Sequence, residues 1–404
     1  MMEEWKEYKL GEVVISVKDR ITTSVLNASS YISTENMLPN KAGVTLSSGV
    51  PSGNAIKFVA DDILISNIRP YFKKIWQADR IGGCSSDVIC LRATNITEPI
   101  YLYYLLSQDR FFDYVMQGTK GTKMPRGDRS QIMQWPVLLP SKDKQKKIAS
   151  ILKYLDDKIE VNRKINENLE QQAQALFKSW FVDFEHFKNG EFVESELGMI
   201  PKGWRVGTLG EYCKVRSGFA FKSTWWTNEG VPVIKIKNIT DNGNLEMLDC
   251  SFVSKEHAAL AKEFQTIEGD LLIAMTGATI GKFCIVHDNS KYCVNQRVGK
   301  FFLGNEPLKK LPFIFLNLKQ SSVHDEIINR GQGSAQPNIS GGDIETLKVV
   351  IAPDVVISNF NVMLYPSFKK MISNQQESRR LSELRDTLLP KLMSGELKVN
   401  EIEI

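Results

Sequence analysis

The sequence lacks what would place it in a membrane, around a metal or in a disulfide framework. No stretch approaches the roughly 18 uninterrupted apolar residues that cross a bilayer, and the opening MMEEWKEYKL is charged where a secretory signal is apolar. The six cysteines (Cys84, Cys90, Cys213, Cys250, Cys284 and Cys293) form no CxxC pair. They are expected to serve as small buried hydrophobes in a reducing cytoplasm. The four histidines (His186, His257, His287 and His324) do not cluster, so no metal site is expected. There is no HExxH, GxSxG or GxGxxG, and no Asn or Asp followed by Pro-Pro-aromatic, with which amino-methyltransferases hold a flipped base. TGATIGKF, from Thr276 to Phe283, approaches a phosphate loop. Its glycines, however, are separated by three residues where the motif needs four, and Phe283 stands where Ser or Thr would hold magnesium; it reads better as a Gly-rich turn between strands. The chain is expected to bind and not to catalyse. Charge does not commit it to a partner either, since 51 Lys and Arg against 47 Asp and Glu leave a net +4 that permits a polyanion without demanding one.

What the sequence does contain is a duplication. Trp5, Leu10, Gly11 and Glu12 recur as Trp204, Leu209, Gly210 and Glu211, at an offset of 199. DDILIS answers GDLLIA at 208, Cys84 pairs with Cys293 at 209, and Gly118 and Pro140 pair with Gly331 and Pro353 at 213. At 404 residues the chain is too long for one core, and two or three domains are expected. In each copy, short β-branched runs such as DILISNI and DLLIAM predict twisted sheets, and IYLYYLLSQDRFFDYVMQG and LPFIFLNLKQSSVHDEIINRG predict helices. After each repeat comes an apolar seam at helical spacing. In the first it runs Ile148, Leu152, Leu155, Ile159, Asn162, Asn166, Leu169, Ala173, Leu176, Trp180; in the second, Phe360, Leu364, Phe368, Met371, Leu381, Leu384, Leu388. Each predicts a helix of about 40 residues, a rod of roughly 60 Å, the second kinked or restarted at Pro366. The layout is therefore a first domain over 1–140, a long helix over 141–187, a linker over 188–203, a second domain over 204–353, a second long helix over 354–396 and a tail over 397–404.

Two loops in register carry the candidate site. GTKGTKMPRGD (118–128) holds Lys120, Lys123 and Arg126, while GQGSAQPNISGGD (331–343) holds Gln336 and Asn338; both run from a glycine through a proline to Gly-Asp. Upstream, NIRPYFKKIW brings Arg69, Lys73 and Lys74 among aromatics, and the second copy offers Thr279, Lys282, Gln296 and Arg297. Such cations meet phosphates, and Arg, Lys, Asn and Gln forks read base edges. One scaffold with a basic loop in one copy and an amide-rich loop in the other suits two different recognition surfaces. At the helix ends, ALFKSWFVDF and LLPKLMSGEL carry Phe177, Trp180, Phe181, Leu389 and Leu392, more apolar surface than one helix pair covers, so either the rods dock back on their own domains or a partner protein covers them, and the partner is the expectation.

NIRPYFKKIW, GGCSSDV, ALFKSWFVDF, MTGATIGK, NQRVG, GSAQPNISGGD and LRDTLLPKLMSGEL, in this order along the whole chain, resemble the specificity subunit of type I restriction and modification systems. The resemblance implies an α+β protein with two globular target-recognition domains in pseudo-repeat, separated by two long α-helices forming an antiparallel coiled coil. It implies a non-catalytic subunit whose domains each read half of a split duplex DNA target while the helices set the spacer. Two methyltransferase subunits with S-adenosylmethionine and restriction subunits using ATP and magnesium would be its partners. Among the loop positions, the resemblance favours Arg69, Lys73, Lys123, Arg126, Thr279, Lys282, Arg297, Gln336 and Asn338 as DNA contacts. The competing reading is a coiled-coil scaffold that binds proteins or glycans without reading DNA.

Overall fold

The computed structural model of the chain describes residues 5–119, 121, 123–240, 242–247, 249–332 and 337–399. It divides into two units, one running to Ile159 and resuming at Arg380, the other spanning Glu160–Arg379. Lys120 and Gln336 lie outside the described residues. Among the described residues, no helix is long and apolar enough to cross a membrane.

In the first unit, Lys6–Lys9 pairs antiparallel with Pro136–Leu139. A four-stranded antiparallel sheet follows in the order Val14–Ser16, Val88–Ala93, Ile63–Ser66, Ile75–Gln77. Ile63–Ser66 is buried at every position, because sheet neighbours and helices cover both faces, and it therefore reads as a continuous apolar run rather than an alternation. A second sheet runs Arg20–Thr22, Asn54–Phe58, Gly82–Cys84, Tyr31–Ile32, its last pair parallel. Helices Pro99–Leu106 and Asp109–Gln117 put Tyr101, Leu105, Phe111 and Phe112 into the core. Pro99 starts the first helix where its missing N–H matters least.

The second unit repeats this plan. Arg205–Thr208 pairs with Lys348–Ile351, and a sheet in the order Lys214–Ser217, Val298–Phe302, Leu271–Ala274, Phe283–Ile285 is covered by Leu311–Lys319 and Ser321–Gly331. The other sheet is rebuilt. Where Asn54–Phe58 pairs with Gly82–Cys84 in the first unit, an isolated Gln265–Cys293 bridge is what remains among the described residues, and Trp226–Thr227 and Ser251–Val253 extend the sheet beyond Val231–Ile234. The segment 188–203 holds a hairpin, Phe192–Ser195 with Gly198–Pro201.

One buried ionic contact recurs with its parts exchanged. The Asp62 carboxylate takes a bidentate pair of bonds from Arg92, both 2.7 Å, and the N–H of Val59 at 2.9 Å. Asp270 takes the N–H of Ile267 at 2.9 Å and the ammonium of Lys300 at 2.8 Å. Leu64 faces Cys90 across the sheet as Leu272 faces Lys300, so the second copy's cation stands where the first has Cys90. The acid keeps its turn while its neutralising partner moves two residues along the strand.

The long helices are Lys142–Phe181 and Asp354–Ser394, and each passes from one unit into the other. In the second unit they lie antiparallel. Buried Asn162 donates to Glu377 Oε2 at 2.8 Å, Asn166 to the Met371 carbonyl at 3.0 Å, and Asn374 to Asn166 Oδ1 at 2.8 Å, a polar layer that fixes register within an apolar seam. In the first unit Ile148, Ile151 and Leu152 share a core with Leu389, Leu392 and Met393, and Asp156 accepts from Tyr104 and Arg385, each at 2.6 Å. Pairing is thus within one chain. Three expectations are corrected. Helix Asp354–Ser394 runs through Pro366 without a break; the carbonyl that Pro366 cannot satisfy belongs to Val362, a residue on the exposed side of the helix. Beyond residue 380 the buried face is Leu389, Leu392 and Met393, while Leu384 of the expected seam is exposed. Finally, Phe177, Phe181, Leu389 and Leu392 are not a partner surface. Phe177 and Phe181 pack on Phe313 and Phe360, Leu389 and Leu392 fill the first unit's core, and Trp180 rests partly buried on Phe360. The helix ends dock on their own domains because each globular sheet leaves an apolar face that needs covering.

Candidate nucleic-acid interface

In each unit the glycine loop is tied to an upstream loop by the same backbone contacts. In the first, Arg69 N–H donates to the Pro125 carbonyl at 2.8 Å and Gly127 N–H to the Asn67 carbonyl at 3.1 Å, around an Ile68–Arg126 bridge. In the second, Gly277 N–H donates to Pro337 and Ile339 N–H to Met275, both 2.9 Å, around a Thr276–Asn338 bridge. Arg126 and Asn338 therefore hold the same place in the fold. Both loops then enter a short capped helix: Asp128 accepts from the N–H groups of Ser130 and Gln131, and Ser340 from Asp343. The matching caps are Asp128 and Ser340, so the two Gly-Asp pairs aligned by sequence are not equivalent; Asp343 sits one turn later as the reciprocal half of a capping box.

The upstream loops agree even in backbone sign. Arg69 and Lys73 have φ of 48° and 50°, and the second copy has Gly277 and Gly281 at 71° and 84°. Left-handed conformations cost a residue with a Cβ about 1–2 kcal/mol. The first copy bears that cost at two successive cations, and strain of this kind persists where the side chains are needed.

Electrostatics separate the sites. Lys73 and Lys41 share Asp109, each at 3.0 Å. Burial pushes the Asp109 carboxyl up, but the two ammonium groups outweigh it and hold it below its usual range. Lys41 carried no signal in the sequence, because its partner lies 68 residues away. Lys74 donates to the Thr34 carbonyl at 2.7 Å, and burial, with Arg69 nearby, lowers its pKa. Among the described residues, Nε of Arg69 is buried without a hydrogen-bond partner. Lys123 and Arg126 are exposed, the latter 3.4 Å from Asp87. In the second unit, Thr279 is turned inward, donating to the Thr276 carbonyl at 2.9 Å, and Lys282 is half-buried beside it. Gln296 and Arg297 are exposed, while Asn338 accepts from Thr276 Oγ1 at 3.1 Å. The fold thus gathers Arg69, Lys73, Lys74 and Arg126 around one loop pair, and Thr279, Gln296, Arg297 and Asn338 around the other.

The sequence matches the family described as type I restriction modification DNA specificity domain twice, over residues 2–171 and 201–356. It is 33% identical over 313 residues to the type I restriction enzyme MjaIX specificity subunit of Methanocaldococcus jannaschii, covering 75% of this chain and 70% of that one. It is 25% identical over 473 residues to the HindI specificity subunit of Haemophilus influenzae, covering 98% and 100%. In fold it is similar to a crystal structure of the type I restriction-modification system S subunit from M. genitalium, with a TM-score of 0.54 at 17% identity over 97% of this chain and 96% of that one. With the repeat, the two long helices and the matched pair of glycine loops in place, the chain belongs to the family of type I restriction and modification specificity subunits.

Proposed function

We propose that this chain is the non-catalytic DNA-reading subunit of a type I restriction and modification complex in the cytoplasm. Each globular domain reads one half of a bipartite duplex target, and the long helices set the spacing and carry two methyltransferase subunits. S-adenosylmethionine belongs to those subunits, and ATP with magnesium to the restriction subunits that join them.

The observation that carries this reading is the loop pair built twice by the same backbone bonds but furnished differently, with Arg126 where the other copy has Asn338. An arginine fork matches the O6 and N7 of guanine, and an asparagine fork the N6 and N7 of adenine, so one frame serves two half-targets. Lys73, Lys74, Lys120 and Lys123 on one side, and Lys282 and Arg297 on the other, supply phosphate contacts that position each domain; Gln296 and Gln336 add amide forks.

The test is genome-wide mapping of methylated adenine in cells carrying this chain with its methyltransferase, against cells carrying the methyltransferase alone. A split motif that appears only with this chain is expected, and exchanging residues 1–140 should change one half of it. A stable complex that adds no methylation and binds duplexes without sequence preference would refute the reading.

A further inference from the structure

The second unit carries a cleft of about 430 Å³ whose walls include Phe221, Trp226, Lys235, Lys237, Gln296 and Arg297. Three backbone bonds, each 3.0 Å, hold those walls: Gln296 N–H to the Phe219 carbonyl, Asn295 N–H to Ile234, and Met275 N–H to Arg297. The third joins the cleft directly to the recognition loop pair, since Met275 also accepts from Ile339. The cleft is therefore preformed and continuous with the reading surface.

Its charge is unbalanced. Lys235 sits 3.7 Å from the centre of the Trp226 ring and donates to Ser251 Oγ at 2.8 Å, and no carboxylate lies within ion-pair distance of it among the described residues. Burial lowers its pKa, and Lys237 adds to the effect, so an anion brought to this site would relieve an uncompensated cation. Arg297 is exposed and likewise has no carboxylate partner among the described residues. Among the described residues Lys237 is held only by Asp249, which is 92% exposed and so weakly bound. Cations beside an aromatic wall match a unit that is both planar and anionic.

The corresponding place in the first unit is built differently. Asp87 accepts from Asn67 N–H as Arg297 does from Met275, placing an acid where the second copy has a cation. The aromatic stretch GFAFKSTWW has no aromatic counterpart in VKDRITTSV.

We propose that this cleft takes one nucleotide of the DNA strand flanking the second domain's half-target, turned out of the stack, its base against Trp226 and its phosphate between Lys235 and Arg297. The proposal rests on the domain reading DNA and adds a contact beyond its loop pair, so the two domains grip their half-targets over unequal lengths.

The test uses the full chain with its methyltransferase on short duplexes bearing the mapped motif, with binding followed by fluorescence anisotropy across salt concentrations. Lys235→Met and Arg297→Gln should each reduce the slope of log K against log salt by about 0.9, whereas Lys235→Arg should restore it. Trp226→Leu should weaken binding about five- to 150-fold with the slope unchanged. Neutral methylphosphonates walked along the flank should expose one position that weakens the wild type and not Lys235→Met. An unaltered slope in Lys235→Met, with Asn338→Ala and Arg297→Gln still weakening target binding, would overturn the cleft while leaving the loop reading intact. Saturation by a free mononucleotide without loss of duplex binding would overturn it equally, and absence of any target preference in the wild type would overturn both readings. Thermal melting of each variant separates loss of a contact from loss of the fold.

Discussion

Replacing Arg69 tests the link between backbone strain and recognition. Its φ of 48° costs about 1–2 kcal/mol in any residue with a Cβ, and glycine removes that cost while adding about 0.5–1 kcal/mol of unfolded-state entropy. Arg69→Ala and Arg69→Gly delete the same side chain and differ only in backbone freedom. Glycine should therefore be the more stable of the two by roughly 0.5–1 kcal/mol, the reverse of the usual order in helices and strands. With a denaturant slope of about 1–3 kcal/mol per molar urea, the midpoint should differ by about 0.2–1 M. The mirror experiment is Gly277→Ala, where a methyl group would meet nothing within 4 Å, so its whole effect is backbone strain, of the same size and opposite sign. Both arginine variants should lose about 1–3 kcal/mol of DNA binding if the guanidinium reads a base, including the glycine variant that folds better. Equal urea midpoints for Arg69→Ala and Arg69→Gly, or a more stable alanine, would show that the left-handed loop is not held in solution and remove the strain argument.

Other perturbations have definite directions. Lys300→Met leaves the Asp270 carboxylate buried beside little but the Ile267 N–H and should cost about 3–5 kcal/mol in urea unfolding, most of which Asp270→Asn in the same chain should recover. Burial already raises the Asp270 pKa against the pull of Lys300. In Lys300→Met the folded state therefore binds the extra proton above the unfolded carboxyl's range, and stability should return as pH falls. His287 is buried and its pKa is lowered by burial, reinforced by Arg379 and opposed by Asp288 and Glu268. Only the unfolded chain takes its proton near pH 6.5, so stability should fall below that pH, and melts of His287→Gln between pH 5 and 7 should show a shallower decline. Gly341→Ala would press a methyl group into the Val215 carbonyl; a drop of more than about 2 kcal/mol, with weakened binding of the second half-target, is expected.

The duplication was legible because its landmarks are backbone demands: a Trp before a paired edge strand, an acid closing a turn, and a proline opening a long helix. The strands in DILISNI and DLLIAM and both 40-residue helices followed from apolar spacing. What the sequence concealed lies at long separation or in conformation. Nothing in Lys41 points to Asp109, and the aligned Gly-Asp pairs mislead because Ser340, not Asp343, caps the second helix. The aromatic helix ends looked exposed because a one-dimensional seam cannot count the sheet faces that dock on it; Phe177 and Leu392 are covered from outside the helix pair. The change of topology in the second sheet was equally hidden, since the Gln265–Cys293 bridge retains one contact of a strand whose sequence no longer reads as one.

The share of the second long helix that belongs to the first unit bears on synthesis. Ile148 and Leu152 leave the ribosome early, but the Leu389, Leu392 and Met393 that complete their core emerge some 240 residues later. At about 5–20 residues per second that core stays open for roughly 10–50 s, with the apolar face of its helix uncovered. The second unit holds all of its own helix pairing between Glu160 and Arg379 and can close first. The domain begun first is finished last, and the nascent chain must keep its apolar helix from aggregating for as long as the second domain takes to be made.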